Sequence, residues 1–210
     1  MAKIEEYIPF VGQSIIDDLK LLAEKLKGKV IQNVNSTSVG GGVAEILSRM
    51  VPLLKELRVD TRWDLIKGGE QFFEATKKFH NVLHGRPEPI TQQDFDIFME
   101  TSLKNIEEVN TYGDIVFIHD PQPIVLIRKK ASNKWIWRCH IDVSNPSQKV
   151  WRFLLDFILS YDAAVFSAPN FSQKLGIRQF LISPSIDPLS DKNKELPQET
   201  IDAVLKKYGI

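Results

Sequence analysis

The chain of 210 residues holds one cysteine, Cys139, so an intramolecular disulfide framework and a cysteine-built zinc cluster are both excluded. Charge of one sign is lacking too. Lys and Arg number 27 and Asp and Glu 27, a formal net charge of zero, which removes the electrostatic footprint of a nucleic-acid or anionic-membrane partner. No apolar run approaches the length of a membrane span, and the opening Met1–Glu6 has no signal-peptide core. The default expectation is a soluble, cytoplasmic protein. Catalytic signatures are equally sparse. There is no Gly-x-Ser-x-Gly elbow, and no Gly-Lys-Ser/Thr follows any glycine-rich run.

What is present centres on Lys29–Leu47. A β-branched run leads into a polar loop, then Gly40-Gly41-Gly42, then Val43, Ile46, Leu47, Met50 and Leu54 at helical spacing. Strand, tight loop and helix in that order leave free backbone N–H groups at a helix N-terminus, where anions are stabilised. A dinucleotide fingerprint does not fit: a Gly-x-Gly-x-x-Gly beginning at Gly40 needs glycine at position 45, where Glu45 stands. The three glycines either let the chain turn or let a phosphate or sugar come close to the backbone.

The rest alternates helix and strand. Residues 1–12 read as an extended entry segment, and Ile15, Leu19, Leu22 and Leu26 form a helix stripe stopped by Gly28. After the glycine-loop helix, in which Pro52 predicts a kink, strands are expected at 60–67, 114–119, 135–141, 163–167 and 179–182. Helices are expected from Phe72 to Leu83, after Thr91 as N-cap, at about 124–130, after Asn145-Pro146, and at 197–208. Ser190–Glu195 reads as a linker. This rhythm implies an α/β fold: a doubly wound, Rossmann-like parallel sheet with helices on both faces. Segment 1–28 is an N-terminal extension and helix, 29–190 the Rossmann-like domain, and 191–210 a linker and helix.

Ligands of such sheets bind outside the carboxyl ends of the strands. Asp120, in the loop after the strand ending at His119, either accepts from sugar hydroxyls or caps the next helix. His140 lies at the end of its strand beside Asp142, which argues for a site, although a lone strand histidine is ordinarily structural. Trp63 is the tryptophan placed to stack on a sugar ring. His80 and His84 have metal-pair spacing but no third ligand, so no metal site is assigned. Cys139 reads as core.

Four stretches together carry a resemblance. They are Val30–Leu47 with its Gly-Gly-Gly, Ile115–Gln122 with His-Asp, Trp137–Asp142 with Cys-His-Ile-Asp, and Phe180–Pro188 ending Pro-Ser-Ile-Asp-Pro. The chain resembles, over essentially its whole length, the amino-terminal domain of retaining glycosyltransferases of the two-domain B-type fold, in the trehalose synthase and trehalose phosphorylase group. The resemblance implies the acceptor-side domain of a glucosyltransferase that makes trehalose from a nucleotide-diphosphate glucose and glucose. It implies Asp120 and His140 as catalytic and sugar-binding residues, with His140 near the anomeric carbon. It also implies that Gly40, Gly41 and Gly42 bring their backbone to the sugars and the diphosphate. Retention would proceed by same-face attack, the leaving diphosphate helping to deprotonate the acceptor. No tightly bound cofactor is implied; nucleotide-diphosphate glucose is a donor substrate, with magnesium as an optional companion. The expected partners are these sugars and the protein's own carboxyl-terminal domain, and the face left open to that domain admits a homodimer. The stop at Ile210 leads to the expectation that the chain is inactive alone. The alternatives are a nucleotide-binding oxidoreductase domain and a non-catalytic sugar-binding module.

Overall fold

A computed structural model describes residues 3–209; Met1, Ala2 and Ile210, and with them the outermost ends of the two terminal segments, lie outside the described residues. Six strands form one wholly parallel sheet: β1 (Val30–Asn35), β2 (Asp60–Leu65), β3 (Ile115–His119), β4 (Lys134–Arg138), β5 (Ala163–Phe166) and β6 (Arg178–Leu181). Their order is β2-β1-β3-β4-β5-β6, every neighbour pair parallel. The helices are α1 (Ile8–Val11), α2 (Gln13–Lys25), α3 (Gly42–Glu56), α4 (Glu70–Leu83), α5 (Gln92–Glu108), α6 (Gln148–Ile158) and α7 (Gln198–Lys207). The doubly wound, Rossmann-like α/β fold is therefore present. Among the described residues no helix is long and apolar enough to cross a membrane.

Alternation along the strands divides the core between two faces. On one, Val34, Val116, Ile118, Trp135, Trp137, Ala164 and Phe166 pack with the Phe72, Phe79, Phe95 and Phe98 rings of α4 and α5 and with Leu154 of α6. On the other, Ile31 and Phe117 meet Ala23 of α2 and Leu54 of α3. Thr91 caps α5 as expected: its hydroxyl accepts from the Asp94 N–H while the Asp94 carboxylate takes the Thr91 N–H at 2.8 Å, a reciprocal capping box.

Several boundaries differ from the sequence reading. The entry segment is not extended: Ile4–Tyr7 is a 3-10 turn running into α1, and the Glu56 carboxylate accepts the Ile4 N–H at 2.9 Å. The apolar stripe of α2 is divided: Leu26 packs against the core beside Ile31, and the other three members are turned outward. Ile16 and Ala23 are buried while Ile15 and Leu22 are exposed, because α2 covers the sheet with a face about one residue away from the larger side chains. The extent of α3 does agree: with Pro52 inside it, the helix continues to Glu56. Strand β4 ends at Arg138, three residues short of the expected Ile141. Helix α6 begins at Gln148 with Ser147 in the cap position, so Asn145-Pro146 belongs to the preceding loop. Ser190–Glu195 is not a free linker. Ser190 is buried, the Asp187 carbonyl accepts from the Ser190 hydroxyl and Asn193 amide, and Lys192 reaches Glu45 of α3 at 2.9 Å.

Candidate functional site

The sheet order reverses once. From β1 the chain steps outward to β2, then crosses back to β3 and proceeds the other way to β6. The loops after β1 and β3 therefore leave the sheet in opposite directions at their carboxyl ends, and this topological switch point is the position where sheets of this class form a ligand-binding crevice. The glycine loop follows β1, and Asp120 follows β3. Two of the motifs singled out from the sequence thus flank the position where this class of sheet binds ligands.

Gly40 and Gly41 have φ of 71° and 80°, in the left-handed region that favours glycine. Gly42 is different. It is the first residue of α3, its φ is not positive, and a Cβ built there meets nothing within 4 Å. Nothing inside the described chain demands glycine at 42. The helix has no side-chain cap, and its first bonded amide is Glu45 N, on Gly41 O at 3.2 Å. The loop before it is tied by Asn35, whose amide donates to Thr37 O at 2.7 Å while its oxygen takes the Trp63 indole N–H at 2.6 Å. Trp63 is half-buried on β2, two strands away from His119, and is anchored to the start of the loop.

Asp120 does not cap the 3-10 turn Ile124–Lys129, where Pro123 holds the cap position without a side-chain bond. Its φ is 63°, an unusual value that a short polar side chain tolerates best. This turn sends the Asp120 N–H to Arg138 O at 2.9 Å, and Trp137 Nε1 donates to Asp120 O at 3.1 Å. Asp120 Oδ1 then accepts the His140 N–H at 2.7 Å, which ties the loop after β3 to the loop after β4. Burial pushes the Asp120 carboxyl up to about 7, against the opposing pull of that N–H and of Arg138.

His140 is joined to the residue before Asp120. Its Nε2 lies 3.0 Å from Nδ1 of His119, whose Nε2 lies 3.1 Å from Oδ1 of Asn33 on β1. Burial holds His119 down to about 3 and His140 to about 4, so both imidazoles are neutral near pH 7. Arg138 adds to both shifts, but its guanidinium is occupied: it donates to Phe166 O at 3.1 Å and Ile182 O at 2.7 Å. The cations beside the glycine-loop helix are likewise paired, Arg49 with Asp187 at 3.3 Å and Lys192 with Glu45.

The structure thus brings Asp120 and His140 together, and the glycine loop follows the neighbouring strand β1 at the same edge of the sheet. Asp142 turns back to its own loop, accepting the Ser144 N–H at 2.9 Å. His80 and His84 sit on α4 and at its end with ring centroids 4.9 Å apart; among the described residues no three His, Cys, Asp or Glu side chains gather to hold a metal. Cys139 is buried, and burial pushes its thiol well above the ordinary value. Asn33 and Arg138 are not among the residues the sequence singles out. A signal exists for the first: a parallel strand buried on both faces should be continuously apolar, yet β1 buries Gln32, Asn33 and Asn35.

The fold is a doubly wound, Rossmann-like α/β domain, with two carboxyl-end loops bearing a carboxylate and an imidazole. Comparison with known proteins gives the family. Residues 33–173 match the model of the trehalose synthase N-terminal domain, and the chain belongs to that family. It is 42% identical to trehalose synthase of Thermococcus litoralis over 99% of this chain and 52% of the relative. It is 30% identical to trehalose phosphorylase of Pleurotus sajor-caju over 92% of this chain and 29% of that protein. A solved trehalose-6-phosphate synthase, at 14% identity, superposes with a TM-score of 0.57 over 84% of this chain and 53% of the other. The chain spans about half the length of the trehalose synthases it matches.

Proposed function

We propose that this chain is the acceptor-side domain of a retaining glucosyltransferase that forms trehalose from a nucleotide-diphosphate glucose and glucose, in the cytoplasm. The observation that carries this reading is the pairing of Asp120 and His140 at the switch-point crevice, joined by the 2.7 Å bond from His140 N to Asp120 Oδ1. Two fixed polar groups on separate loops suit a polyhydroxylated ligand, whose hydroxyls each need a directed partner. Asp120 Oδ2 and His140 Nδ1 make no hydrogen bond to any described residue, and neither is sealed from solvent. In this reading they accept from sugar hydroxyls, and His140 stands near the anomeric carbon. The backbone of Gly40–Gly42 approaches the sugars and the diphosphate, and Trp63 offers a ring for stacking.

The cations near the crevice are already engaged, Arg138 by backbone carbonyls and Arg49 by Asp187. Neutralising a leaving diphosphate is the main electrostatic task of this chemistry. In this reading that task falls to the protein's own carboxyl-terminal domain, and this chain alone is inactive. Magnesium would enter only as a companion of the diphosphate. The oxidoreductase alternative finds no support in the loop, where Glu45 occupies the place of a fingerprint glycine.

Titration calorimetry with glucose, trehalose and UDP tests the reading. The chain should bind glucose weakly and UDP not measurably. Asp120→Ala and His140→Ala should each weaken glucose binding about tenfold, the loss of about 1.4 kcal/mol expected for one directed hydrogen bond. Glucose binding that both variants leave unchanged would refute the site.

A further inference from the structure

His119 and Asn33 are buried, at 4% and 1% exposure, so neither reaches a ligand in the crevice. Their geometry nevertheless decides what His140 can do there. The Asn33 amide is oriented by its far end: Nδ2 approaches Arg62 O and Thr61 Oγ1, both at 3.4 Å, and a carbonyl can only accept. Oδ1 therefore faces His119 and accepts, which puts the His119 proton on Nε2. A neutral imidazole protonated at Nε2 offers a lone pair at Nδ1. The 3.0 Å contact from there to His140 needs one proton, and only His140 Nε2 can supply it. His140 is then unprotonated at Nδ1, the atom that has no partner within the described chain.

We propose that Asn33 and His119 are positioning residues that hold His140 as its Nε2–H tautomer, so that Nδ1 meets the ligand purely as an acceptor for a sugar hydroxyl. The last clause rests on the sugar-site reading above; the tautomer relay does not. The rings lie nearly in one plane, 20° apart, as a hydrogen bond in the imidazole planes requires. The charged groups that face the pair are Arg138, whose positive charge opposes protonation of either ring, and Asp120, which takes the His140 N–H and not a ring nitrogen. Reversing the relay would turn the acceptor into a donor and mismatch it with a hydroxyl already oriented to donate.

The test is a histidine-ring ¹⁵N correlation spectrum of the 210-residue chain, with His140 assigned by its loss in His140→Gln. At pH 7 the wild type should show His140 as a single tautomer, protonated at Nε2 and bare at Nδ1. Asn33→Asp places a carboxylate on His119 Nε2 and raises its titration midpoint. As His119 takes up its second proton, on Nδ1, the His140 proton should move from Nε2 to Nδ1. Asn33→Leu, which removes the acceptor, should give a mixture of tautomers. A purely structural role for Asn33 would leave the His140 tautomer unmoved in both variants and overturn the proposal. A wild-type His140 protonated at Nδ1 overturns it without any variant, so the test survives if the variants fail to fold. Glucose is the probe for the final clause, and it should shift the His140 Nδ1 resonance. If the tautomer is as stated and glucose leaves Nδ1 unmoved, the acceptor clause falls with the sugar-site reading while the relay stands.

Discussion

Asp120 is a residue whose chemistry the fold tolerates at a cost, and Asp120→Asn should expose that cost. Unfolded, the carboxyl titrates near its ordinary 3.8; folded, burial holds it at about 7. Between those values the folded chain retains a proton that the unfolded chain releases. The contribution of Asp120 to stability therefore falls as pH rises from about 4 to about 7, and the deficit is complete above 7. The separation of about three units sets an upper bound of about 4 kcal/mol at 1.36 kcal/mol per unit, lowered by the contact Asp120 Oδ2 keeps with solvent. Asparagine cannot ionise, keeps an oxygen for the His140 N–H and tolerates the left-handed φ of 63°. The variant should match wild type near pH 4 and exceed it by up to about 4 kcal/mol at pH 8. Urea unfolding of both proteins from pH 4.5 to 8 reads the difference directly. The two histidines held down to about 3 and 4 weaken both proteins equally in acid, so the subtraction isolates Asp120. A difference that does not vary with pH, or a variant less stable at pH 8, would refute the buried, proton-holding carboxyl. Gain of stability at a residue proposed to bind sugar is the trade expected at a functional position.

Gly42→Ala should raise stability by about 0.5 kcal/mol, because position 42 is helical and a Cβ there meets open space. In full-length protein the same methyl should lower catalytic efficiency, since it intrudes where ligand is proposed to approach; unchanged activity would mean the glycine serves the turn alone. Arg138→Met should destabilise by about 1–2 kcal/mol in urea unfolding, because it removes the two guanidinium bonds to Phe166 O and Ile182 O at the β5–β6 edge, while Phe166 O keeps the Ile182 N–H at 2.9 Å.

The fold was legible because the core strands announce themselves: Ile115–His119 and Ala163–Phe166 are short apolar runs bounded by turn signals, and α4 and α5 carry aromatics at helical spacing. Thr91 was readable as a cap from its residue type before an apolar-periodic run, and the structure adds Asp94, three residues on, as the partner in its capping box. Legibility failed where tertiary bonds overrode local pattern. The alternation of Trp135 through Ile141 continues past the true end of β4, and only the Asp120 carboxylate, occupying His140 N, explains why the ladder stops mattering there. Ser190–Glu195 looked like a linker because it is polar, yet its polarity serves bonds to Asp187 and Glu45. The positions of Asp120 and His140 at the sheet's carboxyl edge were accessible from sequence. The Asn33–His119 relay behind them was not, since it depends on β1 and β3 being neighbours, with Asn33 and Phe117 in register.

The most direct test of the sugar crevice is an amide-resolved NMR titration of the chain with glucose. Shifts should concentrate in Gly40–Gly42, Asp120 and His140 and should be absent on addition of UDP alone. Shifts confined to other surfaces, or a response at these residues to UDP and not to glucose, would contradict the account.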